Sequence, residues 1–275
     1  MNQPAMPTTL DPQGYLERIR FPAQGYDTLE PSLSLLRDLH EAHMLAVPFE
    51  NLSIHYGQPI VLRDEALYHK IVTRRRGGFC YELNGLFAWL LRRLGYDVAL
   101  LSAEVAGSDG SFSAPFDHLT LLVHQGDGAD WLSDVGFGDS FRHPLRFEPH
   151  IEQDGGDGRI YRMYESEMRA DGDGGLPYWL VEQRTDAQAQ WEPVYCFTLQ
   201  PHALSDFAAR CHYHQTSPES HFTQKRICSL ALPDGRISLS DLRLITTRHG
   251  VREERELASE DEYGAVLAER FGVVL

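Results

Sequence analysis

The 275-residue chain is 42% hydrophobic and 11% aromatic, with no apolar run near the length a bilayer demands, which indicates a soluble globular protein with ample material for a core. Its formal charge of −15 is concentrated between residues 96 and 200, where 19 acidic side chains stand against 6 basic ones. Such a surface argues against a nucleic-acid partner, since phosphate binding needs a basic face.

Residues 1–95 read as helical. Asp11-Pro12 is a capping residue followed by proline at the first helical position, with Tyr15, Leu16 and Ile19 on the face behind it. Pro31 starts a second helix, with Leu33, Leu36, Leu39 or His40, and His43 on one side, and Val47-Pro48 stops it. Asp64 is placed to cap a third helix through Leu67 and Ile71. A fourth begins at Cys80, where Leu83, Leu86, Phe87, Leu90, Leu91 and Leu94 follow helical spacing and Gly95 closes the run.

After Gly95 the pattern changes to short β-rich runs over Asp97 to Val105, Leu119 to His124, Trp131 to Val135, Ile160 to Met168, Tyr178 to Gln183 and Val194 to Leu199. Turn-rich segments at Gly126 to Gly128, Asp154 to Gly158 and Asp171 to Gly175 separate them, which suggests an antiparallel sheet or partly closed barrel. A helix over Ala203 to Tyr213, a hairpin across Pro233 to Arg236 and a last helix opened by Ser259, with Glu262 completing a capping box, finish the chain. The expected architecture is α+β in three packed subdomains: a helical bundle (1–95), a β-barrel (96–200) and an α/β lid (201–275).

Cys80 is the first candidate for chemistry. A cysteine in the first turn of a helix meets unpaired N–H groups and a positive partial charge, which favour a thiolate. Arg74, Arg75 and Arg76 are expected to push the same way, and Gly77-Gly78 to let the chain turn sharply and leave room for a substrate. A thiol nucleophile needs a base, and the base needs a partner that fixes its tautomer. His118 stands where a loop enters the run Leu119 to Val123, and Asp134 lies in the otherwise apolar run that follows; a hairpin across Gln125 to Asp130 brings both to one site. Asp117 and Asp139 are rivals for the carboxylate and are expected to be exposed.

Arg76-Gly77-Gly78-Phe79-Cys80-Tyr81-Glu82-Leu83-Asn84, a histidine 38 positions after the cysteine, and Asp134-Val135-Gly136-Phe137-Gly138 together resemble the arylamine N-acetyltransferase family, as does Val47-Pro48-Phe49-Glu50-Asn51-Leu52. The resemblance implies a catalytic triad of Cys80 as nucleophile, His118 as base and Asp134 as orienter, on a helical domain, a β-barrel and an α/β lid. It implies acetyl-CoA as acyl donor and ping-pong transfer through a Cys80 thioester to arylamines, arylhydrazines or N-hydroxyarylamines. It also implies a substrate-binding loop at Gly136, Phe137 and Gly138, with Phe137 lining the acceptor pocket, and a Glu50–Arg76 ion pair behind the site. A thioesterase, hydrolase or transglutaminase-like enzyme shares the same triad logic, and a binding protein that kept the fold is the third reading.

No metal is expected. His40-Glu41-Ala42-His43 has one residue too few between its histidines for a zinc-protease helix, and Cys211-His212-Tyr213-His214 lacks a second ligand cluster. Asp171 to Gly175 has Leu176 where a calcium loop needs glycine, so a surface turn is expected. The first residues carry no basic segment followed by an apolar run, and the four cysteines form no Cys-x-x-Cys pair. Cytoplasmic location, reduced thiols, no membrane and no obligate protein partner are the corresponding expectations.

Overall fold

Asp11 accepts a hydrogen bond from the Gln13 N–H (3.0 Å) and Pro12 takes the first helical position, so α1 (Pro12–Arg18) begins where the sequence predicts. The computed structural model describes residues 10–22, 25–126, 128–166 and 176–275. Ser32, one residue later than expected, caps α2 (Leu33–Ala46) by accepting from the Leu35 N–H. β1 (Phe49–Glu50) and α3 (Leu52–His55) follow. Asp64 does not cap α4 (Asp64–Tyr68); it is the first helical residue, where its carboxylate faces the positive helix end.

A single π-helical turn (His69–Thr73) and a left-handed Arg75 (φ +52°) then lead into α5 (Cys80–Arg93). Buried Arg18 holds this irregular strap. Its guanidinium donates to the carbonyls of Ile71 (2.9 Å), Ala46 (2.7 Å), Arg75 (3.3 Å) and Arg76 (3.2 Å). It has no carboxylate partner among the described residues, and burial pulls its pKa down to about 10.

The middle of the chain forms β2 (Asp97–Val105), β3 (His118–His124), β4 (Asp130–Ser133), β5 (Leu145–Arg146), β6 (Gln153–Asp154), β7 (Ile160–Ser166), β8 (Tyr178–Arg184) and β9 (Glu192–His202). They make one antiparallel sheet in the order β5-β4-β3-β2-β9-β8-β7-β6. Register shifts in the β2–β9 and β8–β9 ladders add local twist, and the sheet curls until its two ends meet. There the Gln153 side chain accepts from the Arg146 N–H (2.6 Å) and donates to its carbonyl (2.9 Å), joining β6 to β5 and nearly closing a barrel. Leu101, Phe141, Tyr161, Val181 and Phe197 fill it. Of the expected turns, Asp127 and Asp171 to Gly175 lie outside the described residues, as do the last two residues of the strand expected over Ile160 to Met168.

After β9 the expected single helix is split into a 3₁₀ turn (Leu204–Phe207) and α6 (Ala208–Thr216). The Asp206 carboxylate accepts from the Ala203 N–H (2.9 Å) and fastens the tight turn. Then come α7 (His221–Gln224), β10 (Ile227–Leu232), β11 (Gly235–Ser240), β12 (Arg243–Arg248), β13 (Val251–Glu256) and α8 (Glu260–Phe271). The hairpin across Pro233 to Arg236 forms as expected, with Leu232 opposite Gly235. Ser259 caps α8, while Glu262 reaches past it to the Ala258 N–H (2.6 Å).

The five-stranded sheet β1-β10-β11-β12-β13 takes its first strand from the helical part of the chain. One face of it packs on α8 through Ile237, Leu239, Tyr263, Leu267 and Phe271. The largest core joins α1, α2 and α5 to β2 and β3 and continues to Phe207, Cys211 and Phe222, so helices, barrel and last third share buried surface around Cys80. Each fully buried leucine or phenylalanine there contributes about 1.5–3 kcal/mol. The architecture is α+β.

Candidate active site

Cys80 opens α5, is 3% exposed, and lines a cavity of about 450 Å³ with His118, Phe137, Phe49, Phe112 and Phe222. The Cys80 and Tyr81 N–H groups, in the first helical turn, have no carbonyl four residues back within the helix. Glu82, in the same turn, accepts from the Phe79 N–H (3.2 Å) and from Lys70 Nζ (2.8 Å), while Glu50 pairs with Arg76 (2.9 Å) and lies 3.8 Å from Lys70. Burial alone would raise the Glu50 carboxyl, but Lys70 and Arg76 hold it below the usual range. This four-charge network lies under the start of the helix, and Arg76 is spent within it.

The arginines therefore do not act on Cys80 as the sequence suggested. Arg74 and Arg75 are exposed, and Arg76 faces Glu50. Burial pushes the Cys80 thiol well above its ordinary pKa, with the Asp134 and Asp117 charges adding to the rise and the Leu119 backbone opposing it. The glycines also have a different use from the one expected. A Cβ on Gly77 would lie 1.9 Å from the Pro48 carbonyl, and Gly78 pairs in parallel with Phe49, its carbonyl accepting from the Glu50 N–H (2.8 Å). They let the strap lie flat against β1; they are not an opening for substrate.

His118 begins β3, and Asp134 falls one residue beyond the end of β4. The strands pair as the proposed hairpin, His124 opposite Asp130. Asp134 leaves the ladder because its own N–H donates to His40 Nε2 (3.1 Å) while its carboxylate accepts from the Gly136 N–H (3.0 Å). His118 Nε2 lies 2.7 Å from Asp134 Oδ2. Burial would push this fully enclosed carboxyl up; His118, Asn84 and the Gly136 N–H together bring it below the usual range.

Asn84, one turn after Cys80 on α5, donates to Asp134 Oδ1 (2.8 Å) and the Leu119 carbonyl (2.6 Å) and accepts from the Val135 N–H (2.9 Å). His40 on α2 supports the other side: its Nδ1–H donates to the Arg142 carbonyl (2.6 Å), which leaves Nε2 as the acceptor for Asp134. Neither was singled out in the sequence for this role, although both are polar residues on otherwise apolar helix faces.

Gly136 and Phe137 line the cavity. A Cβ on Gly136 would approach the Cys80 Cα and carbonyl oxygen to 2.9 and 3.0 Å, so the loop can lie against the Cys80 backbone only as glycine. The Phe137 ring stands edge-on to His118 (5.1 Å between centroids) and touches Tyr195 (5.4 Å). Gly138, at φ +96°, passes over the Phe49 ring. Asp139 is exposed and ties Arg159 to Arg236. Asp117 is not exposed as expected: its side chain is largely buried against Arg210 and His214.

The family model described as N-acetyltransferase matches residues 32–275. The chain belongs to the arylamine N-acetyltransferase family. It is therefore an acyltransferase. A pineal gland arylamine N-acetyltransferase of Gallus gallus is 34% identical over 97% of this chain and 95% of its own length. An arylamine N-acetyltransferase / N-hydroxyarylamine O-acetyltransferase of Salmonella typhimurium is 35% identical over 74% of this chain and 69% of its own. The structure of the Mycobacterium marinum family member in complex with CoA superimposes with a TM-score of 0.83 at 32% identity, covering 96% of this chain and 93% of that one. Among the described residues of this family member no group of histidine, cysteine and carboxylate side chains is arranged to hold a metal, and no helix is long and apolar enough to cross a membrane.

Proposed function

We infer that the protein transfers the acetyl group of acetyl-CoA, through a thioester on Cys80, to the nitrogen of an arylamine or arylhydrazine, or to the oxygen of an N-hydroxyarylamine. The observation that carries this reading is the placement of Cys80 and an Asp134-fixed His118 in one aromatic-walled cavity. Burial disfavours the free thiolate, so activation is read as transfer of the thiol proton to His118, whose imidazolium would stabilise the thiolate that meets the donor's thioester. With Nε2 engaged by Asp134, Nδ1 is the ring nitrogen that accepts this proton, and the buried carboxylate stabilises the imidazolium.

The thiolate adds to the thioester carbonyl, and the N–H groups opening α5 are read as the donors to the developing oxyanion. Collapse breaks the bond to CoA sulfur, which leaves with the proton from His118. The amine then attacks the acetyl-Cys80 carbonyl, gives a proton to His118 and expels the Cys80 thiolate, which regains it. Aromatic amines suit this second step because they are unprotonated at neutral pH. Phe49, Phe137 and Phe222 supply the apolar wall an aryl ring needs, with Gly136 giving the loop its close approach. The four buried free cysteines support a reducing, cytoplasmic setting.

Intact-protein mass spectrometry after brief exposure to acetyl-CoA tests the reading. One acetyl adduct is expected, absent in Cys80→Ala and discharged by an aminobenzoate. No adduct would overturn the donor or the nucleophile, and an adduct lost equally fast without amine would make the protein a thioesterase.

A further inference from the structure

The turn that delivers His118 is held in an unfavourable conformation from three sides. Phe116 has φ +65°, a region costly for a bulky residue. Its N–H donates to Ser102 Oγ (2.7 Å), and its carbonyl accepts from Tyr81 Oη (2.7 Å), which also lies 3.1 Å from the Asp117 carbonyl. That Asp117 carbonyl is itself 4.0 Å from Cys80 Sγ, so the peptide just before His118 rests against the nucleophile.

The Asp117 carboxylate points the other way, to α6. It accepts from Arg210 Nε (2.7 Å), and His214 Nε2 stands 2.9 Å from the same oxygen, off the line of a straight hydrogen bond. His214 Nδ1 meets Ser220 Oγ (2.9 Å), and Ser220 caps α7, whose His221 and Phe222 form part of the cavity wall. Burial would raise the Asp117 carboxyl, but His214, Arg210 and a hydrogen bond from Ser113 in its own loop hold it far below its ordinary range.

We propose that Asp117, anchored by Arg210 and His214, is a positioning residue that clamps the Phe116–His118 turn and so sets the His118 imidazole against the Cys80 thiol. The last third of the chain thereby reaches the base through a buried charge contact as well as contributing to the cavity wall. The inference rests on the catalytic roles proposed above for Cys80 and His118. An error of about 1 Å in such a placement costs on the order of 100-fold in rate.

Two reactions of Cys80 test it: single-turnover acetylation by acetyl-CoA, and alkylation by iodoacetamide, which needs no acyl donor. Asp117→Asn and His214→Leu are expected to slow both by about 10- to 100-fold, leaving KM for the arylamine within about 2-fold. His214→Gln, which keeps a donor for Asp117 and an acceptor for Ser220, is expected to recover most of the rate. If Asp117→Asn does not fold, His214→Leu and Arg210→Gln probe the same anchor. Folded variants that react at the wild-type rate, or that raise KM with acetylation unchanged, would overturn the clamp and leave the acetyltransferase reading intact. A wild-type Cys80 that is alkylated but never acetylated would overturn the donor assignment while the alkylation series still tests the clamp; a Cys80 inert to both reagents overturns both.

Discussion

At the scale of single residues, the site is a set of buried polar atoms matched almost one to one. Asn84 makes three hydrogen bonds, to Asp134, Leu119 and Val135, and all three are lost in Asn84→Leu. Leaving a buried carboxylate and carbonyl short of a donor costs about 1–3 kcal/mol each. We expect thermal unfolding of Asn84→Leu to show a loss on that scale, and steady-state assays to show kcat reduced at least 10-fold. Asp134→Asn retains much of the shape but removes the charge that orients His118, and acetylation of Cys80 should fall on the order of 10³- to 10⁴-fold. That Cys80, His118 and Asp134 come together at one cavity was legible in the sequence, because a thiol, an imidazole and a carboxylate stand out in otherwise apolar runs; their catalytic roles are the proposal made above. Their supports were not, since a lone His40 or Asn84 on an apolar helix face gives no indication of its partner, which here lies on another element.

At the scale of elements, the long helices and central strands follow their periodicity and caps, and the departures have local causes. β4 stops at Ser133 because the Asp134 N–H finds His40. α4 gives way to a π-turn where Arg18 gathers four carbonyls. β1, β5 and β6 are two residues each, too short for an alternation to be read. β13 (Val-Arg-Glu-Glu-Arg-Glu) is exposed throughout and is held by its ladder to β12, with cross-strand charge pairs such as Arg243–Glu254, so no apolar pattern announces it. The strap before α5 is the element most sensitive to a small change. Gly77→Ala sets a methyl against the Pro48 carbonyl, and since backbone must move to admit it, a loss of about 3 kcal/mol or more in chemical denaturation is expected, with slower acetylation.

At the scale of the whole molecule, acid should weaken the fold in two stages. His40 is buried and neutral, with its pKa pulled down to about 4 by burial, and His43 is lowered in the same direction. An imidazole near pKa 6.5 when unfolded but about 4 when folded gives stability that is complete above pH 6.5 and is lost as pH falls toward 4, about 3 kcal/mol for His40. Protonating His40 Nε2 would also turn the Asp134 N–H against another donor. Melting curves should decline through that interval, and His40→Gln should flatten the slope. Below the ordinary carboxylate range a second decline follows, as Asp134, Asp117 and Glu50, all held low when folded, take up protons.

The pairing of β1 with β10 has a consequence for how the enzyme is made. The edge strand beside the strap that leads into Cys80 is residues 49–50, its sheet partner is residues 227–232, and the helix that grips Asp117 starts at residue 208. On a ribosome, Cys80 emerges long before either arrives. The nascent chain can wind α5 and lay Gly78 beside β1, yet it lacks β10 on the other edge of β1, an anchor for Asp117 and a Phe222 to close the cavity. The cavity around Cys80 is thus walled only near the end of synthesis, and a half-made chain is expected to form the proposed acetyl-Cys80 thioester far more slowly than the finished one.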